Sequence, residues 1–457
     1  MIPTTPVRDW ERAVYDFSTT SVPPEVREAG SHVVADVLAA AVAGAAAEQH
    51  ADVLRDAAFA GGNASVLGTD RRVDPASAAL CNTAAAITQE IEEGHNRGGH
   101  VGASVVAGAV GVAEANDVDG ATFVDACVRS YELCTRLEYA IFAMKARLND
   151  AVPWLLRDPH STWTTVGPAF TAAVCAGADA DTLRETFRVA ANLAVVSMHD
   201  PYAEGAPARN FTAGFSAQAG VSAATLTAAG LRGSAAAVSE VYDPFADLLA
   251  EGEFDGLFES LGTEWWIGER YHKPYPSCRY THAPLDALRE AGVDDLTPDD
   301  VTRIDVHTYR NGVDMGHTRP ETLTAAKFST PYALARWVAD GEVSLEHFES
   351  ESLADDAVQS LTERVRLHED DEFERAFPGS WGARVVVTTD AGETRTGRRP
   401  HPRGDYRDPL STADLRERNR ALLAYGLGDD AADEALDALS SVADAPVSET
   451  VDALRLH

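Results

Sequence analysis

Residues 33–47 read VVADVLAAAVAGAAA, so a helix built from them carries small or apolar side chains on most of its faces. A helix with one apolar stripe can lie on a protein surface, but one lined all round by Ala, Gly and Val must pack against neighbours on more than one side. The same texture recurs at 74–91, 100–116, 161–178 and 214–231, beside longer helical runs at 119–148 and 180–198. Roughly the first 260 residues therefore read as the interior of a large helical domain. The start signals agree. Prolines open the first run, and Asp74 before Pro75 predicts an N-cap with proline in the first turn.

The character changes near residue 295. Residues 301–310, VTRIDVHTYR, alternate apolar and polar as a half-buried strand does, and 381–399 predict a hairpin turning at Asp390, Ala391 and Gly392. Between them, 324–348 read as helix with a break at Pro331. From residue 411 the pattern returns to helix, expected to pack back on the first domain. A chain of 457 residues exceeds one ordinary core. The expected fold is mainly α: a large all-helical domain from residues 1–268 and 405–457, and a smaller α+β domain from 269–404.

The formal net charge is −34 with 45% hydrophobic residues. Disorder does not explain such charge beside such apolar runs. Only three lysines occur, Lys145, Lys273 and Lys327, so nearly all positive charge is arginine. An acidic, lysine-poor, alanine-rich chain resembles a haloarchaeal protein, whose carboxylate surface is screened by molar salt. No basic stripe exists to neutralise phosphates, which argues against nucleic acid. The five cysteines form no CxxC pair and are odd in number, which argues against a disulfide framework or a Cys-ligated cluster. The N-terminus lacks the apolar segment of a signal peptide, and the apolar runs carry periodic polar residues, so the expectation is a cytoplasmic protein with no membrane span.

Four stretches carry chemistry-bearing side chains. In 89–116, Glu90, Glu92 and Glu93 end one helix and His100 begins the next, beside Gly98 and Gly99. A helix N-terminus favours anions, and His100 there could contact a carboxylate or move a proton. In 157–170, His160 precedes another close-packed helix. In 205–220, Arg209 and Asn210 precede a glycine-rich helix start, and arginine binds carboxylates through paired hydrogen bonds. In 271–291, Lys273 stands among very few lysines, and Cys278 and His282 are four apart. Each stretch alone reads equally as a polar loop, a surface histidine or a structural salt bridge. Zinc has only two ligands here and no second pair, and a Cys–His nucleophile is an equally thin alternative. Together, cationic groups and histidines at several helix starts suit a small anion with more than one carboxylate.

At these segments the chain resembles the MmgE/PrpD family of 2-methylcitrate dehydratases and cis-aconitate decarboxylases. The resemblance runs through VVADVLAAAVAGA, the acidic loop with its histidine and small-residue helix, HSTWTTVGPAF, KPYPSCRYTHAPLDAL and AAKFSTPYALARW. It implies a helical domain made from both chain ends, an α+β lid, a site between them, a homodimer, and no metal or organic cofactor. It places Glu90 at the family's first active-site aspartate, and His100 and His160 at its histidines. Arg209 falls where decarboxylating members carry lysine, Lys273 matches a family lysine, and Cys278 stands where other members have histidine. Glutamates replace the family's aspartates, Gly94 replaces a threonine, and Val101 replaces a proline.

The expected function is a cofactor-independent lyase on a di- or tricarboxylate, foremost dehydration of a 2-methylcitrate-like hydroxy acid. Glu90, His100, His160 and Lys273 are the expected catalytic residues, and Arg209, Cys278 and His282 the substrate-binding ones. Alternatives are a cis-aconitate-type decarboxylase, an epimerase of an imino- or amino-dicarboxylate, and a catalytically silent carboxylate-binding homologue.

Overall fold

The computed structural model describes residues 8–97, 99–151, 165–193, 205–246 and 253–457, with side chains for all of these except 55, 142–151, 243–246 and 253. The fold is mainly α with one small mixed sheet. The larger hydrophobic core draws on residues from Trp10 to Ile267 and again from Leu422 to Leu454, with Leu345 between. A second core gathers residues from Tyr275 to Val387.

At the centre lies helix α1 (Pro24–Ala46), which buries residues 36–45 without a break. It packs against α2 (Pro75–Thr88), α3 (Gly120–Ala151) and, from the far end of the chain, the helix Thr412–Leu427. The small residues explain this crowding. A Cβ on Gly44 would lie 1.8 Å from the Ala85 carbonyl oxygen of α2. By length and composition α1 could cross a membrane, but 72% of its most apolar window is buried inside the molecule. Asp74 caps α2 as expected, accepting from the amides of Ala76 and Ser77. On its other side α2 meets α4 (Ala208–Ala228), which follows α3 and the helix Val166–Cys175 in the chain and carries Arg209 in its first turn.

The stretch 100–116 departs from the single helix expected. A π-helical turn at Ala103–Ala107 is followed by a break and a short helix Val110–Ala115. Such turns cluster beside functional sites.

In the second core, β1 (Val301–Thr308) pairs in parallel with β2 (Val365–Glu369) and antiparallel with β3 (Ala383–Thr389), which pairs with β4 (Thr394–Arg399). The hairpin turn falls where expected, with Gly392 at φ +81°. Sequence reading missed β2, a five-residue edge strand in which only Val365 is buried. Helix α5 (His282–Glu290) covers β3 and β4. The helical break expected at Pro331 falls two residues earlier, between α6 (Leu323–Lys327) and α7 (Thr330–Asp340), where Ser329 caps the Tyr332 amide and Pro331 sits in the first turn of α7. The returning helix α8 (Thr412–Leu427) lies on α1, so the C-terminal segment joins the first core.

Candidate active site

The site grows from the end of α2. After Thr88 and Gln89, Glu90 takes a left-handed φ of +50°, a conformation that costs an ordinary residue about 1–2 kcal/mol. Lys273 helps hold it, donating at 3.0 Å to the Glu90 carbonyl and at 3.0 Å to its carboxylate. Arg209 pairs with the other carboxylate oxygen of Glu90. A short two-stranded pairing of Gly94–His95 with Arg270–Tyr271 brings Lys273 against the acidic loop. Burial opposes the ionisation of Glu90, but Arg209, then Lys273 and His100, outweigh it and hold its carboxyl far below the usual range. Such an acid is a poor proton acceptor near neutral pH. Glu90 in this arrangement pairs with two cations, Arg209 and Lys273.

Glu92 is wholly buried, with one oxygen 3.0 Å from His100 Nδ1 and the other 3.8 Å from Lys273 Nζ. Glu93 accepts from the Gly102 amide at 2.7 Å and from the Tyr131 hydroxyl at 2.8 Å. Burial, reinforced by Asp36, pushes its carboxyl up to about 8. This corrects one expectation: at the helix start after His100, the Gly102 amide is taken by the loop's own Glu93 rather than left for a substrate anion. Ligand atoms of Glu90, Glu92 and His100 lie within 4.8 Å of one another, close enough for a metal. Yet both oxygens of Glu90 face cations, Arg209 and Lys273, so the charge pattern suits anion binding and proton transfer better.

A network behind the loop fixes it. Asp36, buried in α1, accepts from the Glu93 amide (2.7 Å), from His272 Nδ1 (2.8 Å) and from Arg418 of α8 (2.7 Å). Arg418 also donates to the carbonyls of Lys273 (2.6 Å) and Ile91. One guanidinium thus ties the acidic loop, the lysine strand and the first core helix together. Burial raises the Asp36 carboxyl, but Arg418 and His272 bring it below its ordinary value. Burial holds His272 neutral.

Gly99 adds a steric constraint. Its φ is +63°, and a Cβ there would fall 1.6 Å from an oxygen of Glu138. The Glu138 carboxyl is buried, with no hydrogen-bond partner among the described residues. Gly99→Ala is expected to cost about 2–4 kcal/mol, read by urea unfolding in molar salt. An unchanged midpoint would show that the loop rebuilds around the methyl.

The remaining expected residues divide. Burial pushes the Cys278 thiol up to about 12, so it is a poor nucleophile or metal ligand at neutral pH. His282 is buried, donates through Nε2 to the Ser277 carbonyl at 3.1 Å and meets Tyr275 edge-on. Burial pushes it down to about 3, and a neutral imidazole holds a carboxylate weakly. These two partners, Ser277 and Tyr275, both lie within the 275–282 turn. His160 lies outside the described residues. Sequence reading noted Glu92 without giving it a role, and missed Asp36, His272, Arg418 and Lys327 as members of the site. The signal for Asp36 was its standing as the one charge in residues 33–47, and for Lys327 the same rarity that drew notice to Lys273. His272 and Arg418 carry no such mark.

Comparison with known proteins bears on this geometry. The MmgE/PrpD N-terminal domain model matches residues 11–256, and the MmgE/PrpD C-terminal domain model matches 275–443. A cis-aconitate decarboxylase-like protein, oryM, of Aspergillus oryzae is 26% identical over 440 residues, covering 90% of this chain and 88% of its own. The cis-aconitate decarboxylase of Aspergillus terreus is 21% identical over 439 residues, covering 89% and 87%.

Proposed function

Because the chain belongs to the MmgE/PrpD family, we propose that it is a lyase acting on a small di- or tricarboxylate. The observation that carries this reading is the convergence of Arg209 and Lys273 on one buried carboxylate beside His100. The site already holds a carboxylate, its own, between a guanidinium and an ammonium. A substrate carboxylate entering there would exchange with Glu90 for the same partners. Arginine would grip it through two parallel hydrogen bonds and lysine as a point charge.

Removing a proton next to a carboxylate makes a dianion that needs cations and shelter from water. Lys273 and Arg209 meet the first need, and the burial of Glu90, Glu92 and Lys273 meets the second. His100, steadied through Nδ1 by Glu92, would move the proton at Nε2, as a carboxylate-oriented imidazole does. The finer reading is dehydration of a 2-methylcitrate-like hydroxy acid, in which the hydroxyl leaves as the proton is taken. Decarboxylation of a cis-aconitate-like acid is the second reading, favoured by the names of the two Aspergillus relatives. Loss of carbon dioxide leaves a carbanion that the same cations would hold. A homodimer fits the apolar side chains of Phe215 and Leu226, exposed three turns apart on α4, and light scattering in molar salt tests it.

The decisive experiment is a panel of 2-methylcitrate, citrate, cis-aconitate and iminodisuccinate in molar salt, followed by proton NMR in deuterated buffer. A new alkene with water lost establishes the dehydratase. Carbon dioxide establishes the decarboxylase. Deuterium exchange without net change points to an epimerase, and silence across the panel overturns the lyase reading.

A further inference from the structure

Lys327 has no place in the mechanism above, yet it is one of three lysines in the chain and its side chain is 1% exposed. It ends α6, in the second core, and reaches across to the C-terminus of α2. There Nζ donates to the Thr88 carbonyl at 3.0 Å and to Gln89 Oε1 at 2.6 Å. Its own carbonyl accepts from the Cys278 amide at 2.8 Å. Lys273 binds the next carbonyl but one, that of Glu90. Two ammonium groups thus clamp the end of α2, where a helix dipole is negative, on either side of the left-handed turn at Glu90.

We propose that Lys327 is a positioning residue of the lyase site: its ammonium charge pins the end of α2 and so sets the Glu90 turn on which Arg209 and Lys273 converge. This rests on the lyase reading for its kinetic arm only. The groups that act on Lys327 are Glu90 and Glu92, which favour its charged form, and His50, whose ring feels the lysine charge. Phe348 lies 6.0 Å from Nζ, and Tyr425 interacts with Gln89. Burial pushes the His50 imidazole down to about 4, so it stays neutral near pH 7. Burial also pushes the Lys327 ammonium down to about 7, against the pull of Glu90 and Glu92. The charged form is therefore full below neutral pH and is lost as pH rises through that value.

Two measurements test this. In the first, kcat against pH is compared for wild type, Lys327→Arg and Lys327→Gln. Wild type should decline above about pH 7. Lys327→Arg, which keeps its charge, should lose that decline. Lys327→Gln should lower kcat by about 10²-fold below pH 7, the cost of a small misplacement, with KM changed far less, and the gap to wild type should narrow above it. An unchanged alkaline limb in Lys327→Arg, or full kcat in Lys327→Gln, overturns the proposal. The second needs no turnover. Protein labelled with ¹³Cε-lysine gives three signals, and Lys327→Gln removes one of them. That signal should titrate near neutrality in wild type and move to lower pH in Glu90→Gln, which removes its negative neighbour. Titration like a surface lysine, or indifference to Glu90→Gln, overturns the proposal even where no substrate has been found. A clean titration with no turnover on any substrate would instead count against the lyase reading alone.

Discussion

His100→Ala is expected to lower kcat by about 10²–10⁴-fold while leaving the protein folded. The imidazole sits 3.0 Å from a buried carboxylate oxygen of Glu92, yet 19% of its side chain is exposed. Its deletion therefore removes a proton carrier without opening a closed core. The partner left behind, Glu92, retains Lys273 at 3.8 Å. Glu92→Gln should show a smaller loss, since it disturbs the orientation of the ring and keeps the ring itself. The double variant should fall little below His100→Ala, because residues that act as a unit are not additive. The check is kcat on whichever panel compound turns over, with circular dichroism in molar salt to confirm folding. A wild-type rate from His100→Ala would remove this histidine from the mechanism.

The largest stability effect is expected from Asp36→Ala, at about 3–5 kcal/mol. The carboxylate is buried and partners the Glu93 amide, His272 and Arg418 together. Its removal leaves a buried guanidinium facing an imidazole and an amide with no acceptor between them. Asp36→Asn keeps the shape and loses the charge, so it should fall between. The folded carboxyl sits below its ordinary value. Its contribution is therefore present above about pH 4 and is lost only as pH falls through the lower folded value. Urea unfolding at fixed salt and pH 7 measures the difference, and an unchanged slope confirms that only stability has moved. A loss under about 1 kcal/mol would mean that water replaces the carboxylate.

The fold was legible where periodicity and end signals are local. Small residues around 33–47 announced a helix surrounded by helices, and α1 meets α2, α3 and α8. The alternation at 301–310 and the turn at Gly392 announced β1 and the β3–β4 hairpin. The strand β2 escaped because VRLHE pairs along one edge only and leaves its polar side chains in water. Of the candidate residues, Glu90, His100, Arg209 and Lys273 do meet. Cys278 reaches the same neighbourhood through its backbone contact with Lys327, whereas His282 turns inward to Ser277.

What the sequence determined by itself is what short-range physics writes into it: helix and strand periods, the Asp74 cap, the acidic surface, and residue types suited to carboxylates. It could not assign protonation or roles. Three neighbouring glutamates look alike in sequence, yet burial and partners divide them. Glu90 is held far below the ordinary range between two cations, Glu92 braces His100, and Glu93 is pushed up to about 8 by burial and Asp36. The partners that divide them lie elsewhere in the chain: Arg209 and Lys273, more than a hundred positions on, for Glu90, and Asp36 and Tyr131 for Glu93. Charge interaction depends on distance and burial in space, and only the tertiary fold sets these.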